Sequence, residues 1–232
     1  MKTLITLLLI AAGIFGLFAI SKFTERFKSK GMFLWQFSYQ FLTLIMALVL
    51  LIINRLVHSD YRSALNKGYL ESPTEHFGWL GIPQGTHWSE AFITFLIFPL
   101  IITTVVVYFQ VLKKEAVSLL TIAKVIPAAT LLSFFNSFTE EIIFRVIGVE
   151  GLSTVISVTT LAILSGLWFG LPHYFGTPGK IPGVLMAGFL GWVAAISILE
   201  TGGIAVAWAI HFVQDVPIIT MLLAVAVEEA RD

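Results

Sequence analysis

Cysteine is missing from all 232 residues, which excludes a disulfide framework, a thiol nucleophile and any cysteine-ligated metal. Charge is almost as scarce. Only 12% of residues are Asp, Glu, Lys or Arg, against about 25% in soluble domains. Fourteen basic residues balance fourteen acidic ones, so no basic field exists to recruit nucleic acid. No internal repeat of the kind that marks many secondary transporters is visible, no linker divides the chain, and no His-Glu-x-x-His is present. What remains is apolar. Hydrophobic residues make up 57% of the chain and the mean hydropathy is +0.92, the composition of an integral membrane protein.

Apolar runs of about 18 to 25 residues read as transmembrane helices. They fall near Thr3 to Ile20, Gly31 to Ile53, Trp88 to Leu112, Ile126 to Gly151, Leu152 to Leu171, Ile181 to Leu199 and Gly203 to Val227. The expected fold is therefore an all-α polytopic bundle of about seven membrane-spanning helices in one domain, residues 1–232. Within it, the N-terminal helices occupy residues 1–112 and the motif-bearing core residues 125–227. The first run follows Lys2 but outlasts the roughly 7 to 15 apolar residues of a secretory signal, and no A-x-A site follows, so a retained anchor helix is expected.

Asn54 to His87 forms the longest polar stretch, with Arg55, Asp60, Arg62, Lys67, Glu71 and Glu75 and the turn signals Ser72-Pro73 and Gly81-Ile-Pro83. It reads as a partly ordered loop in which His58, His76 and His87 are solvated. Lys22, Arg26, Lys28 and Lys30 follow the first run, and Lys113, Lys114 and Lys124 precede the fourth. The excess of Lys and Arg in cytoplasmic loops puts both clusters inside, in a membrane expected to be the plasma membrane, with the functional site opening toward the cytoplasm. Lys114 to Lys124 reads as a short interfacial helix ahead of Pro127; were it to span together with the residues up to Asn136, the face of the site would invert.

Three ionisable clusters interrupt the apolar half. The first is Ser137-Phe-Thr-Glu-Glu-Ile-Ile-Phe-Arg145. Ionised groups at bilayer depth cost roughly 2.5 to 3.5 kcal/mol even on lenient insertion scales, and they mark functional interiors. Glu141 and Arg145 are four apart with the acid first, a favourable helical pair, which leaves Glu140 as the unpaired carboxylate suited to general acid or base work. The bland alternative is a capping box, Ser137-x-x-Glu140. Phe169 and His173 form the second cluster, with Pro172 placing His173 at a helix end and Phe169 reading as a packing residue. His211 and Asp215 form the third, on one helix face, where Asp215 either orients the imidazole or projects with it into one cavity. Ala187, Gly188 and Gly191 favour close packing of the sixth helix, and Gly202-Gly203 a tight turn after it.

In this order, Glu140-Glu141-x-x-x-Arg145, Phe169-x-x-x-His173 and His211-x-x-x-Asp215 resemble the three signature motifs of the CAAX protease and bacteriocin-processing (CPBP) family of intramembrane endopeptidases, which includes the Ras-converting type II CAAX prenyl endopeptidase. The resemblance spans roughly the C-terminal 40% of the chain. It implies that Glu140 and His173 activate water, that Glu141 and Arg145 organise the site, and that His211 and Asp215 stabilise the oxyanion. It also implies a membrane-embedded or lipidated peptide or protein substrate, prenylated or a peptide precursor. Val146 stands where the family commonly has glycine. Asp215 occupies a position that takes Asp or Asn, and a carboxylate donates a hydrogen bond only when protonated. Glu140, His173, His211 and Asp215 also offer the donor types of a catalytic zinc site, so the cofactor expectation is either none or a single zinc ion. Competing readings are a non-catalytic immunity or scaffold protein and an ion-coupled transporter. Nothing indicates the oligomeric state.

Overall fold

The computed structural model describes residues 1–59, 64–115 and 117–230 and is all-α; Asp60 and Arg62 of the polar stretch lie outside the described residues. Helix α1 (Lys2–Thr24) runs through a short 3-10 segment into α2 (Met32–Val57), and the loop that follows leads to α3 (Trp88–Gln110). Ser118 starts α4 (Leu119–Glu141) by accepting the Thr121 N–H, which satisfies one of the orphan donors of the first turn. A single π-helical turn, Ile142–Val146, joins α4 to α5 (Ile147–Leu152). Then come α6 (Val158–Gly170), a 3-10 turn Leu171–Phe175, α7 (Lys180–Thr201) and α8 (Ala205–Glu229).

Among the described residues, six helices are long and apolar enough to cross a membrane: Lys2–Lys30, Met32–Val57, Trp88–Gln110, Leu119–Leu152, Lys180–Thr201 and Ala205–Glu229. The chain is an integral membrane protein. The fifth expected span, Leu152 to Leu171, is not one. Leu152 closes the preceding rod, a bend follows, Ser157 caps α6 by accepting the Thr160 N–H, and the helix gives way to a 3-10 turn at Leu171, next to Pro172. Its 13 residues cover about 20 Å, short of the roughly 30 Å hydrocarbon core. The expected interfacial helix from Lys114 to Lys124 also differs: Leu112–Lys114 is a 3-10 turn, and Lys124 lies inside α4, in one span with Asn136. The inversion expected for that case does not follow, because the recess at Glu140 leads to Met32, next to the basic residues of 22–30. Pro127 removes one backbone donor, yet the rod runs on because α4 packs along α8.

A single rod crosses once, so the ends sort into two faces. At one, Ser118 meets Glu228 of α8, with N–H to Oε1 at 3.5 Å, and the Gly179 N–H reaches Gln110 Oε1 at 3.3 Å. The basic residues of 22–30 and 113–124 belong to this face. At the other, Asn66 Nδ2 donates to Gly202 O at 2.9 Å, and the Tyr69 N–H to Thr201 O at 2.8 Å. Gly202, with φ +71°, makes the expected tight turn.

Two carboxylates, the buried Glu150 and the half-buried Glu200, fasten the polar loop to this second face. Glu150 accepts from Asn54 Nδ2 at 2.9 Å and from the Ala64 N–H at 2.8 Å, with Arg55 at 3.6 Å. Glu200 accepts from Trp88 Nε1 at 2.8 Å, pairs with His76 Nδ1 at 2.6 Å and takes the Glu75 N–H at 3.1 Å. His58 is buried against Thr6 Oγ1 at 2.8 Å. The expectation that His58 and His76 are merely solvated is thus corrected: buried His58 has the hydroxyl partner that burial demands, and half-buried His76 pairs with Glu200.

Candidate active site

Glu140 and Glu141 close α4 immediately before the π turn. Such turns insert one residue into the helix and recur at functional sites. The capping-box alternative does not form: Ser137 is inside the helix and donates to Ser133 O at 2.7 Å. Arg145 lies in the π turn, donating through Nη1 to Glu141 Oε1 at 2.7 Å, with both side chains fully buried. The guanidinium carbon stacks 3.8 Å from the centre of the Phe169 ring, a desolvated cation–π contact worth about 2 kcal/mol or more. Gly191 on α7 leaves room for it. A Cβ there would stand 3.0 Å from Arg145 Nη2 and 3.1 Å from both Phe169 Cβ and Ser165 O.

Glu141 also holds the histidine of α8. His211 Nδ1 is 2.7 Å from Glu141 Oε1, so a carboxylate that only accepts fixes the proton on Nδ1. His211 Nε2 then faces Glu140 Oε2 and Asp215 Oδ1, both at 3.6 Å. Of the two sequence alternatives for Asp215, the side chain projects with His211 into one cavity, while Glu141 orients the imidazole.

His173 arrives from the turn after α6. Its Nδ1 lies 2.7 Å from Phe169 O, and a carbonyl only accepts, so Nδ1 carries the proton and Nε2 presents a lone pair. Burial lowers the pKa of this imidazole below its ordinary value, and the bond to Phe169 O opposes that in part, so the ring is neutral near pH 7. Phe169 is more than expected of a packing residue: its ring centroid stands 4.7 Å from that of His173 and 5.3 Å from that of His211, so it spaces both histidines while covering Arg145.

Two recesses meet at these side chains. The larger, about 570 Å³, is lined by apolar residues of α3 and α7, roofed by Leu80 and Ile82 of the loop, and reaches His173, His211 and Asp215. Phe98 and Leu185 on its wall are exposed, so it opens sideways between α3 and α7, which scarcely touch. The smaller, about 180 Å³, is lined by Gln36, Tyr39, Gln40, Asn136, Glu140, His173 and Asp215 and extends to Met32 and Leu222 at the basic face. Tyr39, Gln40 and Asn136 escaped the sequence reading. Their signal was amides and a phenol within apolar spans, but only packing shows which of them reach the site.

Among the described residues, no three His, Asp or Glu side chains form a group arranged to hold a metal ion. Both imidazoles spend Nδ1 on protein acceptors, His211 on Glu141 and His173 on Phe169 O, and keep Nε2 for the recess; the donors are not gathered into a metal-holding group, and no step is derived through a metal.

Residues 122–217 match the sequence profile described as type II CAAX prenyl endopeptidase Rce1-like. No curated protein and no solved structure matches the chain.

Proposed function

Since residues 122–217 form a domain of the Rce1-like type II CAAX prenyl endopeptidase (CPBP) family, a family of intramembrane proteases, we propose that this chain hydrolyses a peptide bond of a membrane-associated substrate with Glu140 as general base. The observation that carries the proposal is the convergence of Glu140, His173, His211 and Asp215, from three separate stretches of chain, where an apolar recess meets a polar one. Peptide hydrolysis needs a base for water, donors for the developing oxyanion and a proton for the leaving amine.

Each role has a candidate. Glu140, with the free Nε2 of His173 nearby in the same recess, takes a proton from water as its oxygen bonds to the scissile carbonyl carbon. His211, held by Glu141, stabilises the oxyanion through Nε2–H when protonated. The C–N bond then breaks and the abstracted proton passes to the amine, which restores the base. Arg145 neutralises Glu141 and keeps it aimed at His211.

The apolar recess suits a lipid chain or an apolar peptide segment entering sideways from the bilayer, which fits a lipidated or membrane-anchored substrate. The polar recess gives water a route from the basic face, which the positive-inside rule puts in the cytoplasm.

The test compares membrane and secreted peptides from host cells carrying wild type or Glu140→Gln at matched expression. Peptides that appear only with wild type support the proposal and identify the substrate; identical profiles overturn it.

A further inference from the structure

We infer that Asn136 is a positioning residue of this active site and that α2, outside the matched residues 122–217, sets it. The inference rests on the peptidase reading. Asp215 raises the problem that Asn136 answers: as a carboxylate it donates nothing to an oxyanion or to water. Asn136 Nδ2 donates to Asp215 Oδ2 at 3.0 Å, while Asn136 Oδ1 accepts from Gln40 Nε2 at 3.0 Å. These two bonds determine which way the amide points, because the carboxylate needs a donor and the Gln40 nitrogen needs an acceptor.

An amide has two N–H groups, and only one serves Asp215. Asn136 also stands one helical turn before Glu140, and both line the polar recess with Tyr39. The second N–H is therefore available to Glu140 or to the water it activates. The Gln40–Asn136–Asp215 chain anchors both site carboxylates to α2 from the water-facing side, while Glu141 and Arg145 anchor His211 from the buried side. Asn136 is absent from the apolar recess, so its removal is expected to disturb water activation without disturbing substrate binding.

The test uses the full chain and a synthetic peptide spanning a cleavage site mapped with wild type. Asn136→Ala is expected to lower kcat about ten- to a hundredfold, the worth of a hydrogen bond to a charged group, with KM within about twofold. Asn136→Asp, which sets two carboxylates together, is expected to be worse. The exchange Asn136→Asp with Asp215→Asn restores an amide facing a carboxylate with the donor reversed, and is expected to recover most of the kcat lost in Asn136→Asp alone. A wild-type kcat for Asn136→Ala, or an exchange no better than Asn136→Asp, overturns the inference, and the exchange decides the matter even if the alanine variant folds poorly. Glu140→Gln is run alongside. Its full activity sinks the peptidase reading itself, whereas its inactivity beside an unimpaired Asn136→Ala sinks only the role of Asn136.

Discussion

Arg145 shows how one buried charge can organise a site it does not touch chemically. Its guanidinium lies against Glu141 on one side and the Phe169 ring on another. Removing one partner of such a pair leaves the other charge buried and unneutralised, at a cost of about 3 to 5 kcal/mol. Arg145→Leu is therefore expected to lower the melting temperature of the detergent-purified protein markedly. Arg145→Lys keeps the charge but not the planar face that stacks on Phe169, so it is expected to retain the fold better than leucine and still lose most cleavage, through a loosened Glu141 and His211. Gly191 belongs to the same set. Gly191→Ala would press a methyl against Arg145 and Phe169, and overpacking of this kind costs about 1 to 3 kcal/mol; a thermal melt beside the wild type measures it.

At the scale of elements, α6 owes its position to glycine. A Cβ on Gly170 would come within 2.7 Å of Val184 O and 2.8 Å of Gly188 Cα, so α6 and α7 approach backbone to backbone, as small residues allow in membrane helices. That contact places the His173 turn. Gly170→Val is expected to push α6 away from α7 and to abolish cleavage while Glu140 and His211 stay joined through α4 and α8; loss of activity with the rod intact by circular dichroism would be the signature. The π turn after Glu141 and Pro217 soon after Asp215 break the regular hydrogen-bond ladder of the two site helices at neighbouring levels. Irregular backbone is tolerated inside a membrane where it is buried in protein or lines a cavity, and all five residues of the π turn are buried.

On the scale of the whole molecule, the bundle has one basic face and one face where the loop is tied down by Glu150 and Glu200. The polar recess leads from Glu140 to the basic face. Absence of cysteine makes this easy to test, because a single Gln36→Cys substitution labels without background. A membrane-impermeant maleimide is expected to react with it from the cytoplasmic side only, in inverted vesicles and not in intact cells. The opposite pattern would reverse the orientation.

Composition alone determined that the chain lives in a membrane and is all-α, because 57% hydrophobic residues in long runs have no other stable environment. Spacing alone determined the Glu141–Arg145 pair, since residues four apart share a helix face wherever the helix lies. Three matters needed the tertiary structure. The count of spans fell to six because the bend after Leu152 and the turn at Leu171 leave α6 too short, and hydropathy does not register a break between apolar residues. The hydrogen-bonded roles of His58 and His76 depend on hydroxyl and carboxylate partners distant in sequence. Glu141 rather than Asp215 orients His211, and Asn136 takes its amide orientation from Gln40, 96 residues away. Such bonds depend on which helices become neighbours, and helical periodicity describes one helix at a time.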